Sequence, residues 1–389
     1  MKSVEQTMNR RDVLKAGTIA SALALGGFLS PLQAAGTSFK LPTRDKPLLL
    51  NSNESAYGFS SLVKKALDKK AADLSLYPFK AEEELCSSIA RFYQVKEDNI
   101  CVSNGSSAAL QAAIYAVSNL ANELNMPFRI INPNPTFEFP AVYAKPLGIE
   151  VVNFDLDSKF NMNIDAMKKS EREFDGISLV YLCNPNNPTG NIVSANDLYS
   201  WVRNAKQSTI FLIDEAYAEY VIDPAFKSGI DILKDGAKNI IVTRTFSKIY
   251  GLAGLRVGYA VTTPELQRRI KDFLQLAGIN VCGAVASTAA LADFNFRQYC
   301  VNSNVKSRQI VTKALDSLGL RYAPSHANFI FHEITGSYDD FAKNMRNQNI
   351  LVGRQFAKFD NFCRVTLGTP QQAEYYVKVL KTFRQKRYI

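Results

Sequence analysis

Residues 242–259 read VTRTFSKIYGLAGLRVGY, and they organise the interpretation of the whole chain. Apolar Ile240, Ile241 and Val242 lead in like a buried strand. Gly251, Gly254 and Gly258 then let the backbone turn tightly and approach a ligand closely. Between strand and glycines stands Lys248, preceded by the hydroxyl residues Thr245 and Ser247. In so dry a setting an amine gives up its proton and attacks a carbonyl, forming a Schiff base. Arg256, eight residues on, carries a planar fork suited to phosphate. An aldehyde joined to a phosphate is the description of pyridoxal phosphate (PLP). A solvated lysine ahead of a glycine-rich loop has the same residue order, so the rest of the chain must supply partners.

Three stretches do. Ile100–Val102 reads as a strand, Gly105-Ser106-Ser107 as a turn, and residues 108–117 as a helix. Free N–H groups and the positive end of a helix dipole make such a junction an anion site. Ser106 or Ser107 serving as a plain helix cap is compatible with that role. Leu179–Cys183 is a buried-strand run that ends at NPNNPTG. Its two Asn-Pro steps and glycine stop regular structure and project Asn187 from a strand end, where ligands bind in open α/β sheets. Residues 209–213 form another apolar strand, closed by Asp214. A buried aspartate is costly unless it meets a cation, and a protonated pyridine nitrogen is one. Tyr217 follows three residues later.

Together these segments resemble the fold-type I aminotransferases of class I/II, most of all the histidinol-phosphate aminotransferases, over residues 45–385. The resemblance implies an α/β fold: a doubly wound mixed-sheet large domain (75–270) and a smaller α+β C-terminal domain (271–389), joined by an N-terminal arm (37–74). It implies PLP held by Lys248, with Asp214 on the pyridine nitrogen. Asn187 and Tyr217 would meet the phenolic oxygen, and Gly105, Ser106, Ser107 and Arg256 the phosphate, with Thr245 and Ser247 also among the cofactor-binding residues. Phe137, after the strand 129–132, falls where the family stacks a ring on the pyridine, usually a tyrosine. Tyr77 of a Tyr-Pro step matches the tyrosine that reaches a neighbouring subunit's phosphate, which implies a homodimer; packing beside the turn proline is the other reading. In the arm, LNSNESAYG resembles the family's L-N-x-N-E-N-P-x-G and makes Asn53 and Tyr57 substrate candidates, although either fits a plain loop. Arg364 matches the substrate-carboxylate arginine, a bidentate partner for such a group. Arg354 resembles a second arginine near the substrate's distal end; a surface ion pair is the alternative.

Composition agrees with a soluble enzyme. The 389 residues are 47% hydrophobic and 21% charged, ordinary for a large globular chain of two domains. The net charge of +10 is dispersed and no nucleic-acid motif accompanies it. Two histidines and six cysteines without CxxC spacing argue against metal sites and a disulfide scaffold. Residues 1–36 read as an address: Arg10-Arg11, then an apolar segment from Ala16 to Leu29, then Ala34-Ala35-Gly36. They resemble a twin-arginine export signal, with Val13 where such signals carry Phe and no clean A-x-A. The expectation is a periplasmic protein, touching membrane only through an uncleaved signal, or a cytoplasmic one if those residues serve otherwise.

The expected reaction moves an amino group from an amino acid or amino-phosphate donor to a 2-oxo acid. Lys248, freed by the substrate, acts as the base at Cα. Two rivals stand: a threonine-phosphate-decarboxylase-like lyase on the same fold, and a PLP-binding protein without turnover.

Overall fold

The computed structural model describes residues 39–70 and 74–389. The export-signal reading of residues 1–36 lies outside them. Eleven strands occur among the described residues, β1 (Leu48–Leu50), β2 (Ile100–Ser103), β3 (Phe128–Asn134), β4 (Glu150–Asp155), β5 (Ile177–Cys183), β6 (Thr209–Asp214), β7 (Ile240–Thr245), β8 (Gly258–Thr262), β9 (Phe329–Glu333), β10 (Ile350–Val352) and β11 (Phe362–Thr366). Seven build one mixed sheet in the order β2-β8-β7-β6-β5-β3-β4, in which β8 runs antiparallel to both neighbours and the other pairs are parallel.

The continuous apolar runs are explained by burial on both faces, as parallel sheets require. Along β5, Leu179, Tyr181 and Cys183 face one core with Ala109, Ala113 and Ile114 of the helix Gly105–Glu123. Val180 and Leu182 face the other, beside Phe211, Ile213 and Leu85 of the helix Phe79–Tyr93. Side chains alternate across a strand, so one run feeds two cores. The parallel strands β5, β6 and β7 end side by side, with Asp214 paired in register to both Cys183 and Thr243. That common carboxyl edge is where the site forms.

Residues 42–389 make one compact unit. Within it β1 of the arm pairs in parallel with β10, and β9 pairs antiparallel with β11. Leu48, Leu50, Ile350, Val365 and Leu380 share a core of their own. Among the described residues no helix is long and apolar enough to cross a membrane.

One local expectation needs correction. Gly105-Ser106-Ser107 is the first turn of its helix, not a turn before it; Gly105, at φ +74°, admits the bend from β2 without a Cβ penalty. Past the large sheet, two helices follow each other closely. Val281–Ala292 stops, and Phe294–Leu318 begins, because the side chain of Asp293 accepts a hydrogen bond from the Phe296 N–H at 3.0 Å. That is an N-cap, favourable only at a helix start.

Candidate active site

The cleft at the strand ends begins with the anion-binding junction. Asn104 caps the helix Gly105–Glu123 without a side-chain hydrogen bond, leaving the first N–H groups free for a ligand. Ser106 and Ser107 line the cleft there with Thr245, Ser247 and Arg256. A Cβ on Gly105 would stand 2.6 Å from Arg256 Nη2, and one on Gly258 2.2 Å from the Ser106 nitrogen. Both glycines are therefore needed to bring guanidinium and helix start together. Arg256 Nη1 donates to the Ala253 carbonyl at 3.0 Å and the Ser247 hydroxyl at 3.4 Å, while Thr245 Oγ1 donates to Ser247 Oγ at 2.9 Å. Two hydroxyls, an arginine and open N–H groups make a phosphate cup.

Asp214, 2% exposed, ends β6 on the cleft wall. Thr243 Oγ1 donates to its Oδ1 at 3.2 Å and the Tyr181 hydroxyl to its Oδ2 at 3.4 Å. Burial nevertheless pushes its pKa up to about 6, against the lowering effect of those donors. None of the ion pairs among the described residues includes Asp214. A buried, nearly unbalanced carboxylate beside an open cleft is fitted to receive a cation such as a pyridinium.

Lys248 faces this carboxylate across the cleft. Its Nζ donates to the Ser52 carbonyl at 3.3 Å and lies 5.5 Å above the Tyr217 ring. Burial, and next the positive charge of Arg364, lower its pKa to about 8. The amine is thus partly neutral near neutrality, as a nucleophile must be. Arg364 is buried at 8% exposure. Its Nη1 donates to Asn187 Oδ1 at 2.7 Å and its Nη2 to the Asn51 carbonyl at 2.7 Å. Its Nε is buried and finds no partner among the described residues.

The family model for aminotransferase class I and II matches residues 45–380. The chain belongs to the class I/II aminotransferases. These are pyridoxal-phosphate enzymes, and the cup, buried acid and amine fit that cofactor. A histidinol-phosphate aminotransferase from Brevibacillus brevis is 32% identical over 336 residues, 85% of this chain and 89% of that one. An aromatic amino acid aminotransferase from Thermobifida fusca is 31% identical, over 86% of this chain and 89% of that one. The crystal structure of a candidate histidinol-phosphate aminotransferase from Erwinia carotovora atroseptica is 35% identical. It superposes with a TM-score of 0.87 over 90% of this chain and 100% of that one.

Not every expected residue of the aminotransferase joins the cleft. Phe137 and Tyr217 line it; Phe139 does too, its ring 4.4 Å from that of Phe137. Asn187 and Arg364, hydrogen-bonded to each other, are not among its lining residues. Tyr57 turns away: its ring packs edge-on against Tyr299 at 5.5 Å, because aromatic contact on the helix Phe294–Leu318 buries it better than the cleft does. Asn53 is 1% exposed and stands behind the cleft wall, hydrogen-bonded to Tyr217 and Thr366. Its neighbours Ser52 and Glu54 line the cleft instead. Arg354 is half exposed, ion-paired to Glu138 at 2.8 Å and stacked on Phe356 at 4.3 Å. Tyr77 is exposed at 79% and lies against Phe79.

Sequence reasoning missed the residues that support the site from behind. Tyr181 and Thr243 read only as strand residues; Thr243 is in register with Asp214, and Tyr181 lies two residues before Cys183, the β5 residue in register with it. Arg244 was passed over as well. It is buried against Glu215, with Nη2 to Oε2 at 2.5 Å, and against Glu219, with Nη1 to Oε1 at 3.0 Å. Among the described residues no His/Cys/Asp/Glu cluster could hold a metal ion.

Proposed function

We propose that this aminotransferase moves an amino group between an α-amino acid or amino-phosphate donor and a 2-oxo acid, as a homodimer exported by the twin-arginine route. The observation that carries the chemistry is that Lys248 and Asp214 line one cleft with the phosphate-cup residues, and that Lys248 feels the charges of both Asp214 and Arg364. Bound PLP supplies a ring that withdraws negative charge from the substrate's Cα. Ser106, Ser107, Ser247 and Arg256 would hold its phosphate, Phe137 its ring face, Asp214 its nitrogen and Lys248 its aldehyde.

The chain's own groups then divide the work. Arg364 binds the substrate carboxylate and so orients the Cα hydrogen toward Lys248. Displaced from the aldehyde by the substrate's amine, the Lys248 amine would be the base that takes that proton; burial holds its pKa down at about 8. Asp214 stays ionised beside its cation and keeps the pyridine proton in place. In the reverse half the same residues act on the 2-oxo acid.

Dimerisation is supported by exposed Tyr77 among exposed Leu74, Leu76 and Phe79, an apolar cluster of the kind that subunits cover. Export is supported by Arg10-Arg11 ahead of the apolar segment; a reporter fused after Gly36 should leave the cytoplasm only while both arginines stand. The decisive experiment is an amino-donor screen with purified protein, with and without 2-oxoglutarate. Amino transfer requires the acceptor. Release of CO₂ without one would replace this reading by the decarboxylase.

A further inference from the structure

Asn53 joins three parts of the molecule that lie far apart in sequence. Its backbone N–H donates to Thr366 Oγ1 at 2.9 Å, and its carbonyl accepts from Asn328 Nδ2 at 3.1 Å. Thr366 Oγ1 in turn donates to Asn53 Oδ1 at 3.3 Å. With Oδ1 so occupied, the amide nitrogen points the other way, and Nδ2 donates to the Tyr217 hydroxyl at 3.1 Å. Asn53 holds φ +55°, a conformation asparagine tolerates better than most residues, and the four backbone and side-chain contacts keep it there.

Donor accounting gives this contact a consequence. A tyrosine hydroxyl has one hydrogen and can accept as well as donate. An amide N–H cannot accept, so the hydrogen of Tyr217 cannot point back at Asn53. Tyr217 lines the cleft, and its hydroxyl has no other hydrogen-bond partner among the described residues. We infer that Asn53 is a positioning residue that turns the Tyr217 hydroxyl hydrogen into the cleft, where it serves as a donor to an anionic oxygen of the bound cofactor. The docking of the N-terminal arm on Thr366 and Asn328 thereby sets the direction of a hydrogen bond at the cofactor. This rests on the assignment of PLP to the cleft.

The charged and titratable groups around Tyr217 are Arg364, Cys183, Asp214, Lys248, Tyr181 and Tyr220. None of them is altered by Asn53→Ala or by Thr366→Val. A donor to an anionic ring oxygen favours the form in which the nearby nitrogen has lost its proton. Without directed donation, the midpoint of the absorbance–pH titration of the bound cofactor should rise by about one unit, the scale of one hydrogen bond to an ionised group. Asn53→Ala, Thr366→Val and Tyr217→Phe should each shift it upward. In the Tyr217→Phe background, Asn53→Ala should add nothing. Thr366→Val keeps the arm's apolar packing, so it carries the test if Asn53→Ala folds poorly. A midpoint unmoved in both variants, with only melting temperature lowered, would reduce Asn53 to a structural strut. An equal shift with and without the tyrosine hydroxyl would equally overturn the inference. A purified protein with no cofactor absorbance at all would instead overturn the cofactor assignment beneath it.

Discussion

Arg364→Ala should show that substrate anchoring and the cofactor-side asparagine are one device. Arg364 is buried, and its two Nη groups are engaged with Asn187 and the Asn51 carbonyl. Its Nε lacks a partner among the described residues. Truncation removes the carboxylate's counter-charge at a desolvated position, which costs about 2–5 kcal/mol. That is roughly 30- to 5,000-fold in the KM of a 2-oxo acid. It also leaves Asn187 Oδ1 without its charged donor, an additional penalty of about 1–3 kcal/mol. The two losses act through one contact, so Arg364→Ala and Asn187→Ala should not add. Steady-state kinetics of both single variants and the double variant, on each half-reaction, close the cycle. A coupling of about 1 kcal/mol or more is expected for residues in direct contact. Strict additivity would refute the linkage, and an unchanged KM for every carboxylate substrate would refute the anchoring role itself.

Further outcomes follow from the same geometry. The rate at which cofactor-free protein takes up PLP should rise with pH through about 8, as the Lys248 amine loses its proton. Borohydride should trap the cofactor on the Lys248 peptide; an uptake midpoint near 10.5, or trapping elsewhere, would displace Lys248 from its role. Asp214→Asn should lower kcat and kcat/KM together, on the order of a hundredfold or more, by removing the anion opposite the pyridine nitrogen. The cofactor-free variant should nonetheless be more stable than wild type at pH 8. The folded pKa of Asp214 is about 6, raised from 3.8 by burial, so ionisation opposes folding above that range and the difference should vanish below pH 4. Denaturant titrations at the two pH values test it, and a variant less stable at pH 8 would contradict the burial argument. His332 should act in the opposite sense. Burial lowers its pKa from 6.5 to about 4, so the unfolded chain binds a proton that the folded chain refuses. Stability should fall by about 3 kcal/mol between pH 6.5 and 4, and His332→Gln should flatten that part of the profile.

What the sequence determined by itself was whatever rests on neighbours along the chain. The apolar runs of β5, β6 and β7 are local, because a strand buried on both faces needs no alternation. Breakers and acids mark their ends, and so Asn187, Asp214 and Lys248 could be placed on one sheet edge before any coordinates. Of the glycines around Arg256, Gly258 was legible for the same reason: a Cβ there would strike the Ser106 nitrogen at the helix start. Side-chain partners were another matter. Asn53 and Tyr57 sit four residues apart in the arm and looked equivalent, yet Asn53 bonds Thr366, 313 positions away, while Tyr57 packs on Tyr299. Arg354 had a free charge to spend on substrate until Glu138 came within 2.8 Å across the fold. The buried Arg244 with its two glutamates had no sequence signature at all. Such pairings are decided by which surfaces the closed chain presses together, and neither period nor spacing encodes the direction in which a loop side chain then finds burial or a hydrogen bond.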